Sequence, residues 1–290
     1  MGHPDEITEL AQFLRELGAA VDRWTSHVND LDGCPWDVQP GSSLAREDDM
    51  LRPYFLSTRA WLSATVAVDF MACLYASLTN GRAATEDALM FRYGQAALVR
   101  GGLENAATAV WLLGTPGRTR RAVNRLKLAW KEIEPAFRLY DFVGATPRRS
   151  ADDLKARISS VLPQVGWLPR ADKPDWSVEK QTRVALDWSG YGAIVQGADE
   201  IVGFHGTASA AWSACSGLSH GEEASTLAML ARHDMGGASS DVTLASFSMN
   251  AVVLRRLANV AAIMLHHGFA LYERRRHAAL SCDNRSPTSR

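Results

Sequence analysis

The sequence feature that most limits the fold is the stretch 91–113, which reads FRYGQAALVRGGLENAATAVWLL. At helical period, one side of this stretch is mostly apolar, yet Arg100 and Glu104 lie in the middle of that side, and Trp111 follows about two turns later. Removing a guanidinium and a carboxylate from water costs several kcal/mol each unless the two are paired and hydrogen-bonded. We therefore predict a central helix whose core-facing side uses this ion pair for architecture or for chemistry.

Charge and cysteine usage narrow the class of protein. The chain has 290 residues with 31 basic and 32 acidic side chains, a net charge of −1. Proteins that bind nucleic acid through non-specific phosphate contacts usually carry a basic excess, so nucleic-acid binding is not expected. The four cysteines are far apart and form no CxxC pair, which indicates reduced thiols and a cytoplasmic protein. They are Cys34, Cys73, Cys215 and Cys282.

Two apolar stretches raise the question of a membrane span. Residues 55–78 are interrupted by Arg59 and Asp69, and 257–265 is much shorter than the roughly 18–20 apolar residues that a span needs. Both are predicted to be buried core helices, so no membrane association is expected. The N-terminus is acidic and amphipathic, and we expect no signal peptide.

Helical periodicity recurs along the chain, and no strand-type alternation is long enough to predict a sheet. We predict an all-α, single-domain bundle of about eight or nine helices over residues 1–280, with a disordered tail at 281–290. The stretches 91–113 and 242–276 are its predicted central members. The helices are predicted to start near Pro4, Pro53, Thr85, Arg118, Ser150, Ser177, Ala198 and Val242, with loops at 32–49 and 235–240 and a kink or break at Pro135.

The first predicted helix carries an apolar stripe with alternating spacings of three and four, from Ile7 to Leu31. The stripe favours packing within the chain's own bundle; a homodimer seam through the first or last helix is the alternative. In the central helix, Gly101 and Gly102 indicate the close approach of another helix rather than room for a ligand.

Two segments carry a resemblance to a known group of proteins. The first is LVRGGLENAATAVWLL at 98–113, followed by a basic helix, and the second is WSACSGLSHGEEAS at 212–225. Together they resemble a family of uncharacterised helical proteins from actinomycetes, similar in layout to the wider HEPN type, some members of which are ribonucleases. The resemblance implies a helical fold and these two motifs, and brings no established activity. The residues that carry it are Arg118, Arg121, Arg125, Trp212, Ser216, Ser219 and His220.

If the helices that carry these motifs pack together, Arg100 and Glu104 meet Ser216, Ser219 and His220. One interpretation is a polar network that closes a helix end, with Ser219 and His220 bonded to backbone carbonyls. The other is an active site in which His220 is a general base, Glu104 orients it, and Arg100 binds an anion. Ser216 precedes His220 by four residues, so the two share a helix side.

Nuclease and metal chemistry lack their defining patterns. A HEPN-type ribonuclease has an arginine and a catalytic histidine separated by four to six residues, and the corresponding places before His220 hold Cys215, Ala214 and Ser213. No HExxH or ExxH pair occurs, so neither a metal nor another cofactor is expected. The acidic run 47–49 is predicted to mark a helix N-terminus.

The helix after Pro116 is basic on one side. Arg118, Arg121 and Arg125 recur at i, i+3 and i+7, a pattern that suits a phosphate-bearing ligand or an acidic partner surface. The alternative is a solvated side that pairs with acids such as Asp152. No glycine-rich phosphate loop precedes a helix, so the sequence supports no nucleotide site.

The sequence thus predicts a helical binding or regulatory protein with a buried polar centre at Arg100, Glu104, Ser216 and His220. Arg118, Arg121, Arg125, Trp111 and Ser219 are further candidate binding residues. The alternative function is a hydrolase or HEPN-like nuclease that uses His220, Glu104 and Arg100 in the roles given above.

Overall fold

The computed structural model describes residues 4–79, 89–167, 175–239 and 242–278. Helices dominate these ranges, which confirms the predicted all-α class, with slightly more helices than expected and one small antiparallel sheet. The predicted helix start at Thr85 and the predicted tail at 281–290 lie outside the described residues. The elements are α1 (Pro4–Val28), α2 (Ser43–Leu51), α3 (Leu56–Thr79), α4 (Gly94–Gly114), α5 (Arg118–Val143), α6 (Ala151–Val161), a 3-10 turn (Pro163–Val165), α7 (Val178–Ala185), α8 (Gly190–Val202), α9 (Thr207–Ser219), α10 (Glu223–Met229), β1 (Leu230–Ser239), β2 (Val242–Met249) and α11 (Ala251–Arg276).

The helix α4 is the centre of the bundle, as its sequence predicts. It packs against α3, α8, α9 and α11, and 13 of its residues are buried. Small side chains permit this packing: a Cβ at Gly101 would lie 2.5 Å from Cε1 of Phe70, and one at Gly102 would lie 3.1 Å from Sδ of Met71. The predicted close approach of another helix is confirmed, and that helix is α3.

The apolar stripe of α1 is buried inside the chain's own bundle. Phe13, Leu14, Leu17 and Val21 are buried, and α1 packs against α3 and α11. This agrees with the intramolecular interpretation of the stripe. The homodimer stays a prediction.

The helix α3 is long and apolar enough to cross a membrane, but its surroundings are those of a core helix. In its most apolar 18-residue window, 44% of the residues are buried, and the helix packs against α1, α4 and α11. The second apolar stretch, 257–265, lies within α11, where Leu257, Met264 and Leu265 are buried. Both stretches are therefore core helices, as predicted.

A buried carboxylate joins three helices. Glu47 of α2 is 1% exposed, pairs with Arg121 of α5, and lies 3.5 Å from Nη1 of Arg275 of α11. The predicted loop 32–49 is therefore wrong in its second half. The hydroxyl of Ser42 accepts a hydrogen bond from the N–H of Ala45 and so starts a helix, which places Glu47 in the interior.

The next acid in the same run begins the following helix. Oδ1 of Asp48 accepts hydrogen bonds from the N–H groups of Leu56 (2.7 Å) and Ser57 (3.0 Å), the first residues of α3. Burial raises the pKa of Asp48, and the hydrogen bonds from Ser57 and Leu56 oppose that rise. The prediction that the acidic run 47–49 marks a helix N-terminus is therefore wrong for the run itself, which lies in the second half of α2; only the side chain of Asp48 reaches the N-terminus of α3.

The predicted helix from Val242 to Arg276 is wrong in its first part, and so is the prediction that the chain has no strand. Residues 242–249 form β2, which pairs with β1 in an antiparallel hairpin. α11 begins only at Ala251, because the side chain of Asn250 accepts hydrogen bonds from the N–H groups of Val252 (2.9 Å) and Val253 (3.2 Å). The predicted loop at 235–240 is wrong over 235–239, which belong to β1, although the pairing is irregular around Gly237; residue 240 lies outside the described residues.

Two glycines divide another predicted helix. The predicted helix start near Ala198 is wrong, because this residue lies inside α8, and the chain turns between α8 and α9, where Gly203 and Gly206 have φ of +80° and +93°. At Pro135, α5 continues without a break to Val143.

We predict that Glu47→Gln lowers the free energy of unfolding by about 3–5 kcal/mol, because it leaves Arg121 and Arg275 inside the fold without their counter-charge. Urea denaturation followed by far-ultraviolet circular dichroism measures the change. The matched control is Asp49→Asn, two residues away, since that side chain is 66% exposed and its loss is expected to change stability by less than about 0.5 kcal/mol. A loss below about 1 kcal/mol for Glu47→Gln would contradict the assigned role of this carboxylate.

Candidate functional site

The predicted polar centre forms where α4 meets α9. Nε of Arg100 donates a hydrogen bond to Oε1 of Glu104 over 2.8 Å, as expected for residues four apart on a helix. The indole N–H of Trp212 on α9 donates to the same Oε1 over 2.7 Å. One carboxylate oxygen therefore holds the guanidinium in place and fastens α9 to α4.

His220 completes the centre at the C-terminal end of α9. Its Nε2 lies 3.2 Å from Nη1 of Arg100. A guanidinium has donors only, so Nε2 accepts this hydrogen bond and the neutral ring carries its proton on Nδ1. Among the described residues no hydrogen bond joins His220 to Glu104. Arg100 stands between them, so the predicted orienting of His220 by Glu104 is replaced by a contact with Arg100.

The centre lies at the edge of the bundle. The side chains of Arg100 and Glu104 are 26% and 14% exposed, and His220 is exposed. The guanidinium carbon of Arg100 lies 5.7 Å from the Trp212 ring centroid, close enough for a cation–π interaction. Because a guanidinium has five N–H bonds and two are used here, three have no hydrogen-bond partner among the described residues.

The two candidate serines differ in what they contact. The hydroxyl of Ser219 donates to the carbonyl of Cys215 over 2.6 Å, which is the helix-closing role that the network interpretation assigns to it. Ser216 is half-buried one turn before His220, and its hydroxyl has no hydrogen-bond partner among the described residues. Burial raises the pKa of the neighbouring Cys215 thiol to about 12, so this cysteine is not a nucleophile at neutral pH.

An open cleft of about 410 Å³ between α8 and α9 adjoins the polar centre, with Trp212 as the boundary. Gln196 and Glu200 of α8 line its far side. The side of α9 that faces the cleft and the centre spans about 16 Å at the helical rise of 1.5 Å per residue. That side carries Ser209, Trp212, Ser213, Ser216 and His220.

The three predicted anion-binding arginines of α5 all bond to the protein itself, although Arg118 is exposed, Arg125 is half-buried and only Arg121 is buried. Each guanidinium points toward α2 or the start of α3. Burial lowers the pKa of Arg125 to about 10, with the charge of Arg59 acting in the same direction and that of Glu132 opposing it. Arg118 donates to the carbonyl of Arg46 (3.0 Å), Arg121 to the carboxylate of Glu47, and Arg125 to the carbonyl of Phe55 (3.1 Å).

Trp111 lines a different cleft from the polar centre. Its ring packs against α8, where a Cβ at Gly197 would lie 2.9 Å from Cδ1 of Trp111. This cleft also contains Arg120 and Lys127 of α5, which the sequence analysis did not single out. Their spacing of seven residues places them on one side of the helix and could have indicated a basic side. Arg118, Arg121 and Arg125 show an equally regular spacing, so the sequence did not decide between the two sides.

No metal site is found among the described residues, and no known relative is found in the comparisons. In the part of the chain that the structure describes, no group of three or more His, Cys, Asp or Glu side chains is placed to hold a metal ion. Comparisons of the chain with protein-family models, with curated proteins and with solved structures give no match. The resemblance to a family of helical actinomycete proteins therefore stays a prediction.

We predict that Trp212→Phe lowers the free energy of unfolding by about 1–2 kcal/mol, because it removes a hydrogen bond to a carboxylate while keeping an aromatic ring. Chemical denaturation of Trp212→Phe, Glu104→Gln and the double variant measures the coupling between the two side chains. Ser213→Ala, on the exposed side of the same helix, is the control and is expected to be neutral. Strictly additive effects of the two substitutions would show that this hydrogen bond does not hold α9 to α4.

Proposed function

We propose that this protein is a helical binding or regulatory protein that recognises an anionic group of its ligand at Arg100. The observation that carries the proposal is the position of the Arg100 guanidinium, which is partly exposed, is held at one edge by Glu104, and has three N–H bonds without a partner among the described residues. A planar guanidinium with free parallel donors suits the paired oxygens of a carboxylate or phosphate.

The fixed geometry of the guanidinium supports binding. Glu104, Trp212 and His220 each contact Arg100 or its counter-ion, so little side-chain freedom remains to be lost when a ligand binds. With its proton on Nδ1, the exposed ring of His220 offers a second donor. The free hydroxyl of Ser216 lies one turn away on the same side. These groups together favour an oxygen-rich anion.

The alternative of a hydrolase or HEPN-like nuclease rests on Ser216 and His220, which lie one turn apart at the open edge of the bundle. A general base needs a free lone pair on the ring nitrogen that takes the proton. The lone pair of Nε2 is directed at Arg100, so the catalytic role requires this contact to break first. Binding needs no such rearrangement, and we therefore place it first.

Location and assembly belong to the same proposal. Free thiols at Cys34, Cys73 and Cys215 support a cytoplasmic protein. We also propose a homodimer through α1 or α11. Sedimentation velocity of the purified chain decides the assembly: a concentration-dependent dimer is expected, and a monomer at all concentrations would exclude it.

Binding at Arg100 is tested with inorganic phosphate and citrate as probes, by isothermal titration calorimetry. We expect saturable binding to the wild-type chain and at least about tenfold weaker binding to Arg100→Gln, because charge-assisted hydrogen bonds are lost. The matched control is Arg52→Gln, whose guanidinium is exposed and pairs with Asp49. Untargeted mass spectrometry of small molecules that co-purify with the wild type, but not with Arg100→Gln, identifies the natural ligand.

The same variants separate binding from catalysis. Wild-type protein and His220→Ala are incubated with p-nitrophenyl acetate and with total RNA, and product formation is followed. The proposal predicts no turnover that depends on His220. Turnover that is lost in His220→Ala and kept in Arg52→Gln would overturn the binding function in favour of the hydrolase or nuclease.

A further inference from the structure

A second cleft, separate from the Arg100 centre, lies between α4, α5 and α7. Its volume of about 410 Å³ is in the range of small-molecule binding sites. Its lining includes two tryptophans, two cations and polar side chains, among them Trp111, Trp167, Arg120, Lys127, Thr119 and Asn124. A cleft that combines aromatic rings with positive charge suits a ligand that is planar at one end and anionic at the other.

The cations in this cleft come from the side of α5 opposite the three arginines that bond to the protein itself. Arg120, Asn124, Lys127 and Lys131 recur at i, i+4, i+7 and i+11, and therefore share one side of the helix. Arg121, one residue after Arg120, is turned by about 100° and points into the fold toward α2. The helix therefore uses one basic side for architecture and presents the other to the cleft.

The charge in the cleft is not neutralised by any residue that the structure describes. Of the carboxylates in the described ranges, none lies within ion-pair distance of Arg120 or Lys127. Lys131, at the end of the same row, is already engaged, with its Nζ 4.2 Å from the Trp188 ring centroid and 4.0 Å from that of Tyr191. It ties α5 to the start of α8, which leaves the two cations before it for a ligand.

The aromatic walls are held in place by the backbone. Gly197 allows α8 to lie against the ring of Trp111, whose indole N–H has no hydrogen-bond partner among the described residues. The backbone N–H of Trp167 donates to the carbonyl of Leu162 over 3.1 Å, which fixes the position of Trp167 just after the 3-10 turn. At the floor, Nδ2 of Asn124 donates to Oγ1 of Thr115 over 3.2 Å, so Oδ1 of Asn124 is left to accept a hydrogen bond.

We propose that this cleft binds a planar aromatic molecule that carries a phosphate group, the class to which nucleoside monophosphates belong. The tryptophans stack on the ring, while Arg120 and Lys127 bind the phosphate and Asn124 contacts the polar edge of the ring. No glycine-rich loop is needed, because side-chain cations replace the backbone donors of such a loop. This cleft does not depend on the proposed function of Arg100, because α8 separates the cleft from the Arg100 centre. Gly192 of α8 packs against Trp212, and Gly197 of α8 packs against Trp111.

The test is isothermal titration calorimetry with AMP, GMP, CMP and UMP, and separately with the nucleosides and with inorganic phosphate. At least one monophosphate is expected to bind about tenfold more tightly than its nucleoside and than phosphate alone. Lys127→Gln and Arg120→Gln are each expected to weaken monophosphate binding by about tenfold and to leave nucleoside binding unchanged. Trp167→Leu weakens both.

Two controls make the outcome decisive. Arg138→Gln changes an exposed cation of the same helix outside the cleft and is expected to bind like the wild type. Arg100→Gln is also expected to keep monophosphate binding, so failure at one site is distinguishable from failure at the other. The proposal is overturned if no monophosphate binds more tightly than about 1 mM, if Lys127→Gln with an unchanged melting temperature binds like the wild type, or if binding is lost in Arg100→Gln.

Discussion

One carboxylate oxygen determines how the two motif-bearing helices meet. Oε1 of Glu104 accepts hydrogen bonds from Arg100 on its own helix and from Trp212, which is 108 residues further along the chain. Without these two donors, the charge of Glu104 would oppose the packing of α9 on α4, because a half-buried carboxylate needs partners. With them, the same oxygen fastens α9, positions the guanidinium and brings His220 to its other edge. The position of the proposed binding site thus follows from a packing requirement.

A similar requirement decides the orientation of α5. Glu47 is buried and attracts Arg121 and Arg275, which turns one basic side of α5 toward the core and the other outward. The outward side then meets Trp111 and Trp167, and a cleft with uncompensated charge results. Buried acids therefore determine which of the many arginines and lysines remain free for ligands, and the number of cations in the sequence carries no such information.

The fold class and the meeting of Arg100 with His220 could be predicted because each depends on a local pattern. An ion pair in an apolar helix side must find polar partners, and the serine–histidine corner at the end of α9 supplies them. His220 contacts Arg100 and not Glu104. This choice depends on the positions of the side chains, which the spacing of residues in the sequence does not specify. The inward turn of Arg121 depends on Glu47, a residue of a short helix that looked like a loop. The β-hairpin was missed for a related reason: each strand forms its backbone hydrogen bonds with the other strand, whereas a helix forms them within itself.

The central claim is that Arg100 donates to Nε2 of His220, and the tautomer of this ring tests it most directly. Nuclear magnetic resonance of the chain labelled with ¹⁵N in its eight histidines resolves the two ring nitrogens, and His220→Ala assigns the signals. The account predicts a neutral ring with the proton on Nδ1 and an unprotonated Nε2, and loss of this preference in Arg100→Gln. A ring that carries its proton on Nε2, or one that is unaffected by Arg100→Gln, would contradict the polar centre described above.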